Sequence, residues 1–280
     1  MLTLEDIFAF QGATDVQLSP DGLRFAYVSG DNHTTLLPGD ETPTGQPARI
    51  SRSAIFLCDA APGSEPRRLT SGPRGDSLPR WSPDGTSLAF LSDRAVLGQR
   101  QIYSLTVPRS LSALPEEGED DGAMPLTSVK GDIPTPRGLN AVQWNPDGKS
   151  IAFLLEEQPA TAADNEAAFG DDALEYEAHE EFVRVYRVDV VTGSLSVVSP
   201  ISAGQVWEFA PGPGGQIAAV VSASPFEWSW YACRLVLFDD ASGDDITELA
   251  SPMREPKAAT DVAQSRQVAR NYPHANSIAP

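Results

Sequence analysis

Hydrophobic residues along the chain gather in short runs instead of recurring at helical spacing. Phe25-Ala26-Tyr27-Val28, Leu88-Ala89-Phe90-Leu91, Ile151-Ala152-Phe153-Leu154-Leu155 and Ile217-Ala218-Ala219-Val220-Val221 are rich in β-formers and bounded by turn residues. Such runs are expected of strands buried between two sheets. A turn motif stands just before each run: Leu18-Ser19-Pro20-Asp21-Gly22, Trp81-Ser82-Pro83-Asp84-Gly85, Trp144-Asn145-Pro146-Asp147-Gly148, and a worn copy, Phe209-Ala210-Pro211-Gly212-Pro213-Gly214-Gly215. The step from Ser19 to Ser82 and from Ser82 to Asn145 is 63 residues, and from Asn145 to Ala210 it is 65. Equal steps mark an internal repeat. Within the motif Pro presets φ, Asp tolerates the next position, and Gly takes the left-handed conformation that closes a hairpin.

Two further strands follow in each unit. They are Ile55 to Asp59 with Arg67 to Thr70, Gln101 to Leu105 with Pro125 to Thr127, Val183 to Asp189 with Leu195 to Val198, and Leu235 to Asp239 with Ile246 to Leu249. Four strands per repeat predict a β-propeller blade, and hence an all-β fold of four-stranded antiparallel blades. Four blades are visible, so the array is expected to be a partial ring. Blades usually occupy roughly 40 to 50 residues, so insertions are expected at Asn32 to Arg49, Leu111 to Asp121 and Glu157 to Glu181. Blades 1 to 4 are placed within residues 1–250, behind a short helix capped by Thr3. Residues 251–280 carry no turn motif and read as a non-repeat tail, consistent with a truncated array.

Charge narrows the partners. Against 39 acidic residues stand 20 basic ones, a net charge of -19, which repels phosphate backbones and anionic lipid. Nucleic acid and membrane surfaces are therefore poor partners. No run approaches 18 apolar residues and no signal peptide is readable at Met1 to Asp6. Cys58 and Cys233 are the only cysteines, and both read as buried thiols on third strands of blades. Their scarcity suits a cytoplasmic setting. The acidic runs Glu116 to Asp121 and Asp239 to Asp245 lack the alternating oxygen-ligand pattern of a calcium loop, so no metal and no cofactor is expected.

Candidate chemistry concentrates late in the chain. Trp207-Glu208 precedes the worn turn, and Glu227 sits beside Trp228, Trp230 and Tyr231. Carboxylates beside aromatic faces suit a cation. Trp81, Trp144 and Trp207 fall in or beside strands and are expected to pack, whereas Trp228, Trp230 and Tyr231 fall between strands. No Gly-x-Ser-x-Gly pentapeptide occurs, and the three histidines, His33, His179 and His274, lie far apart, so no catalytic residues are assigned.

The repeat motifs, with the leading Leu4-Glu5-Asp6-Ile7, the run Arg184 to Asp189 with Thr192-Gly193, Gln205 to Phe209 and Glu227 to Tyr231, resemble the N-terminal propeller of the prolyl oligopeptidase family. The likeness is to its acylaminoacyl-peptidase and dipeptidyl-peptidase branch, with turns also found in TolB-like propellers. The resemblance implies a propeller over an α/β-hydrolase domain that is missing from this chain. It implies peptides as partners, met through that absent domain and filtered by size. It also suggests that Glu180-Glu181, a pair on the third insertion, binds a peptide's free amino terminus. A free-standing TolB-like interaction module is the alternative. An open array is expected to self-associate, because its terminal blades leave apolar faces and strand edges in water.

Overall fold

A computed structural model describes residues 12–35, 50–114, 119–129, 133, 141–156, 182–239 and 245–251. Among them sixteen strands form four antiparallel sheets of four. Blade 1 comprises β1 (Ala13–Leu18), β2 (Arg24–Thr35), β3 (Ile50–Asp59) and β4 (Arg67–Arg68). Blade 2 comprises β5 (Asp76–Trp81), β6 (Ser87–Ser92), β7 (Gln101–Thr106) and β8 (Met124–Pro125). Blade 3 comprises β9 (Val142–Trp144), β10 (Ser150–Glu156), β11 (Val183–Asp189) and β12 (Leu195–Val197). Blade 4 comprises β13 (Gln205–Pro211), β14 (Ile217–Ser222), β15 (Arg234–Phe238) and β16 (Thr247–Ala250). Strand order in every sheet follows the chain, so each blade is a meander of hairpins. The first strands β1, β5, β9 and β13 touch in succession and make one wall of a partial propeller.

The repeated turn behaves as its residues predict. Gly22, Gly85 and Gly148 take φ of 73°, 70° and 69°. Their N–H groups donate at 2.9 Å to the carbonyls of Ser19, Ser82 and Asn145. The turn aspartates Asp21, Asp84 and Asp147 each accept the N–H two residues on, at 2.9 to 3.0 Å. Asp21 and Asp84 also accept a 2.6 Å bond from the Ser19 and Ser82 hydroxyls. Successive turns stack: a Cβ built on Gly85 would lie 3.6 Å from Pro20 Cδ, and one on Gly148 3.7 Å from Pro83 Cδ. In the worn fourth copy a Cβ built on Gly214 would meet nothing within 4 Å, and an Arg187 N–H donates to Gly215 O at 3.3 Å instead.

Those hydrogen bonds hold Asp21 and Asp84 below the ordinary aspartate value of 3.8, the serine hydroxyl being the largest cause for each. A carboxylate lowered on folding stabilises the fold above its unfolded value, and the contribution is lost as pH falls below it. The gap in melting temperature between the wild type and Asp84→Asn is therefore expected to hold from about pH 7 to about pH 5 and to narrow in the window below 3.8. Thermal scans across pH check this; a gap that does not change into strong acid would show that the charge contributes nothing.

Side chains alternate between the two flanks of each blade and build three interior clusters. Ala26, Val28, Ile55 and Leu57 of blade 1 pack on Trp81, Leu88, Phe90 and Tyr103 of blade 2. Leu91 and Ile102 of blade 2 meet Ile151 and Phe153 of blade 3, and Leu154 and Val185 of blade 3 meet Phe209 and Val236 of blade 4. The tryptophans of the second and third motifs also link blades. Trp81 Nε1 donates to Gln17 O at 3.1 Å, and Trp144 Nε1 to Arg80 O at 2.9 Å. Blade 4 has Phe209 at this position, and Gln143 Nε2 donates forward to Phe209 O at 2.6 Å.

Two sequence expectations need correction. The apolar run of β2 ends near Val28, but the strand continues to Thr35 opposite β3 through a register shift between Gly30 and Thr34. Part of the first expected insertion is thus hairpin, because ladder bonds need backbone and not apolar side chains. Cys58 lies on β3, whereas Cys233 stands one residue before β15, at the end of a 3-10 turn. Both thiols are buried. The expected Thr3 helix and residues 252–280 of the tail lie outside the described residues. No helix among those described is long and apolar enough to cross a membrane.

Candidate functional site

Bulges punctuate the first strands. β1 shifts register between Thr14 and Gln17, and β5 between Ser77 and Arg80. Asp15 and Leu78, 63 residues apart, take φ of 49° and 57° there, a conformation that costs any residue with a side chain. The extra residues set Arg80 beside Asp15, where the two pair at 3.2 Å with both side chains 10% exposed. In β13 the shift falls between Val206 and Glu208, making Trp207 the extra residue. Bulges commonly re-aim side chains at functional sites, and here the bulge serves the aromatic cluster noted in the sequence.

Trp207 Nε1 donates to Ser222 Oγ at 2.8 Å, and its ring meets that of Trp230 edge-on, 5.3 Å between centroids at 86°. Trp230 belongs to the 3-10 turn Glu227–Ala232, which joins β14 to β15. A knot of hydroxyls anchors the turn. Ser229 Oγ lies 2.9 Å from Ser222 Oγ, 2.6 Å from Ser224 O and 2.7 Å from Phe226 O. Gly204 opens β13 with φ 71°, and a Cβ there would run into Ser222 O. The Cys233 thiol donates to Ser229 O at 3.9 Å; burial pushes it up, and the Glu208 carboxylate adds to the shift.

Of the residues singled out in the sequence, Trp228, Trp230 and Tyr231 are 36%, 43% and 73% exposed on this turn. Glu208 is exposed on β13, close enough to act on Cys233. Glu227 begins the turn, with its side chain outside the described residues, as are Glu180 and Glu181 entirely. Trp81 is buried, while Trp144 and Trp207 are half-buried. Aromatic faces attract cations and a carboxylate accepts ammonium N–H bonds; Glu208 acts electrostatically on Cys233, which closes this turn.

A second polar cluster was not foreseen. The Arg94 guanidinium pairs with Asp76 at 3.1 Å and Asp121 at 3.0 Å, the carboxylates 1% and 2% exposed. It lies over the rings of Phe90 and Tyr103, 5.2 Å and 5.0 Å away, and a Cβ on Gly72 would sit 3.1 Å from it. Asp121 also accepts the Ser71 N–H at 2.9 Å, and the Ser71 hydroxyl donates to Glu119 O at 2.6 Å. The second insertion, read as an acidic run, is thereby tied to blade 1. Burial pushes Asp76 up against the pull of Arg94. Asp121 is buried too, but hydrogen bonds from Arg94 and two backbone N–H groups hold it below the usual aspartate value. Residues 18 and 27 positions away from Arg94 leave no local signature in sequence. Among the described residues no three of His, Cys, Asp and Glu gather as a metal would need.

No protein-family model matches the chain. The uncharacterized peptidase YuxL of Bacillus subtilis is 32% identical over 181 residues, covering 62% of this chain and 22% of the relative. Dipeptidyl-peptidase 5 of Aspergillus fumigatus is 30% identical over 167 residues, 53% of this chain and 19% of its own. The chain is a propeller region related to these peptidases. A solved structure, the acylaminoacyl peptidase of Pyrococcus horikoshii, shares the fold over 88% of this chain and 33% of its own, with a TM-score of 0.53 and 16% identity. The matches span about a fifth of the length of the curated relatives.

Proposed function

We propose that this propeller is the non-catalytic part of a prolyl-oligopeptidase-type serine peptidase, receiving and filtering peptides for a hydrolase domain outside these 280 residues. The observation that carries the reading is the exposed aromatic turn of blade 4, closed by Cys233, which feels the Glu208 carboxylate. Relatedness to peptidases supplies the substrate class. A peptide's free amino terminus suits the cluster: the rings face its charge, and Glu208 accepts its N–H groups.

Tryptophan fluorescence of the chain, titrated with a short peptide and with its N-acetylated form, tests the reading. The free amine is expected to bind at least about tenfold more tightly, since a hydrogen bond to a charged group contributes about 1.5 to 3 kcal/mol. Glu208→Gln should remove that preference, and both peptides should be recovered intact. Equal binding of the two forms would overturn amine recognition, cleavage would overturn the non-catalytic role, and no binding at all would favour a module that meets protein partners.

A further inference from the structure

In blades 2 and 4 the serine that ends the second strand holds a polar partner. Ser92 closes β6 opposite Asp76, the first residue of β5, and Ser222 closes β14 opposite Gln205, the first residue of β13. Both serines are 1% exposed. Each first strand then carries one extra residue, within the shift from Ser77 to Arg80 in β5 and at Trp207 in β13. In blade 2 Ser92 Oγ accepts the backbone N–H and the Nε–H of Arg94, at 3.2 and 3.1 Å. In blade 4 the equivalent hydroxyl accepts the indole N–H of Trp207 instead.

A hydroxyl has one proton to give, and an indole N–H can only donate. Ser222 Oγ therefore receives the Trp207 proton and sends its own away from that ring. Two acceptors lie within reach, Ser224 O at 2.7 Å and Ser229 Oγ at 2.9 Å. Ser224 leads into the turn that carries Trp230, and Ser229 lies within it. Ser229 in turn has one proton for Ser224 O, Phe226 O or Ser222 Oγ. Whichever it takes, Ser222 stands between the bulged indole and the turn, accepting from one and donating to the other. An Ala there would leave the Trp207 N–H without this acceptor and the turn without this donor.

We propose that Ser222 is the positioning residue of the aromatic site, holding the Trp207 and Trp230 rings edge-on through the Trp207 N–H and the hydroxyl knot of the turn. In an edge-on pair the rim of one ring covers a face of the other. The angle of 86° thus fixes which faces remain for a cation, since a cation is drawn to a face and not to a rim. The part Ser222 plays in recognition rests on the peptide-binding reading; its hold on the rings does not.

Indoles in contact give an exciton couplet in circular dichroism, which reads their mutual geometry. The wild-type chain is expected to show it, and Trp207→Phe to lack it. Ser222→Ala should lose most of the couplet while still unfolding cooperatively, and Ser222→Thr, which keeps the hydroxyl, should retain it. Ser229→Ala cuts the same link on the turn side; it should weaken the couplet too, and it carries the test if Ser222→Ala does not fold. In the fluorescence titration Ser222→Ala should bind the free-amine peptide about two- to fivefold more weakly, the size of one exposed cation–π contact, and the acetylated peptide as before. A full couplet in Ser222→Ala overturns the proposal, as does a couplet that survives Trp207→Phe. A lost couplet with the amine preference unchanged overturns the role in recognition. If the wild type binds both peptides alike, the peptide-binding reading falls, and the couplet alone decides whether Ser222 sets the rings.

Discussion

Arg94→Met is expected to lower the melting temperature by on the order of 10 °C. The substitution keeps the apolar stem over Phe90 and Tyr103 but leaves Asp76 and Asp121 as buried charges without their guanidinium. Removing one partner of a buried pair costs about 3 to 5 kcal/mol, and each kcal/mol shifts a domain of this size by about 2 to 4 °C. Adding Asp76→Asn and Asp121→Asn to Arg94→Met should recover most of the loss, since no lone charge remains. Glu248→Gln, which breaks the more exposed pair with Arg234 at 3.4 Å, should cost less than about 1 kcal/mol. Calorimetric scans of the four proteins measure all of this. An Arg94→Met protein as stable as the wild type would show the carboxylates to be solvated.

Trp81→Ala is expected to cost about 3 to 5 kcal/mol, the range for emptying a buried aromatic site, because its ring lies in the cluster joining blades 1 and 2. Trp81→Phe should cost about 1 kcal/mol, isolating the lost indole bond to Gln17 O. Denaturant unfolding reads both. A separate early transition in Trp81→Ala would show that blade 1 comes loose from the rest, as expected of an array held by neighbour contacts. Equal losses in the two variants would assign the whole effect to the hydrogen bond.

The blades were legible in sequence because their causes are local. A Pro-Asp-Gly turn restricts φ at successive residues, and the apolar run after it decides which residues are buried, so Ser19, Ser82 and Asn145 announced the repeat without tertiary information. The exposed turn from Trp228 to Tyr231 could also be read, since it falls between runs. The end of β2 at Thr35 and the place of Cys233 outside β15 could not be read, because backbone pairing carries no side-chain signal.

Chain order and turn chemistry therefore determine the four-stranded blade and its repetition. Which flank of a blade meets which, and how Trp81 and Trp144 bind the preceding blade, follow from packing one repeat on the next. The Arg94, Asp76 and Asp121 cluster belongs wholly to that second level. Its charges are separated along the chain and tolerable in the interior only when folding brings them together. The bulge at Trp207 is a register choice between β13 and β14, and it sets the indole against Ser222 and Trp230. Such a choice is settled by the competing contacts of whole strands, a quantity that exists only once the blade has formed.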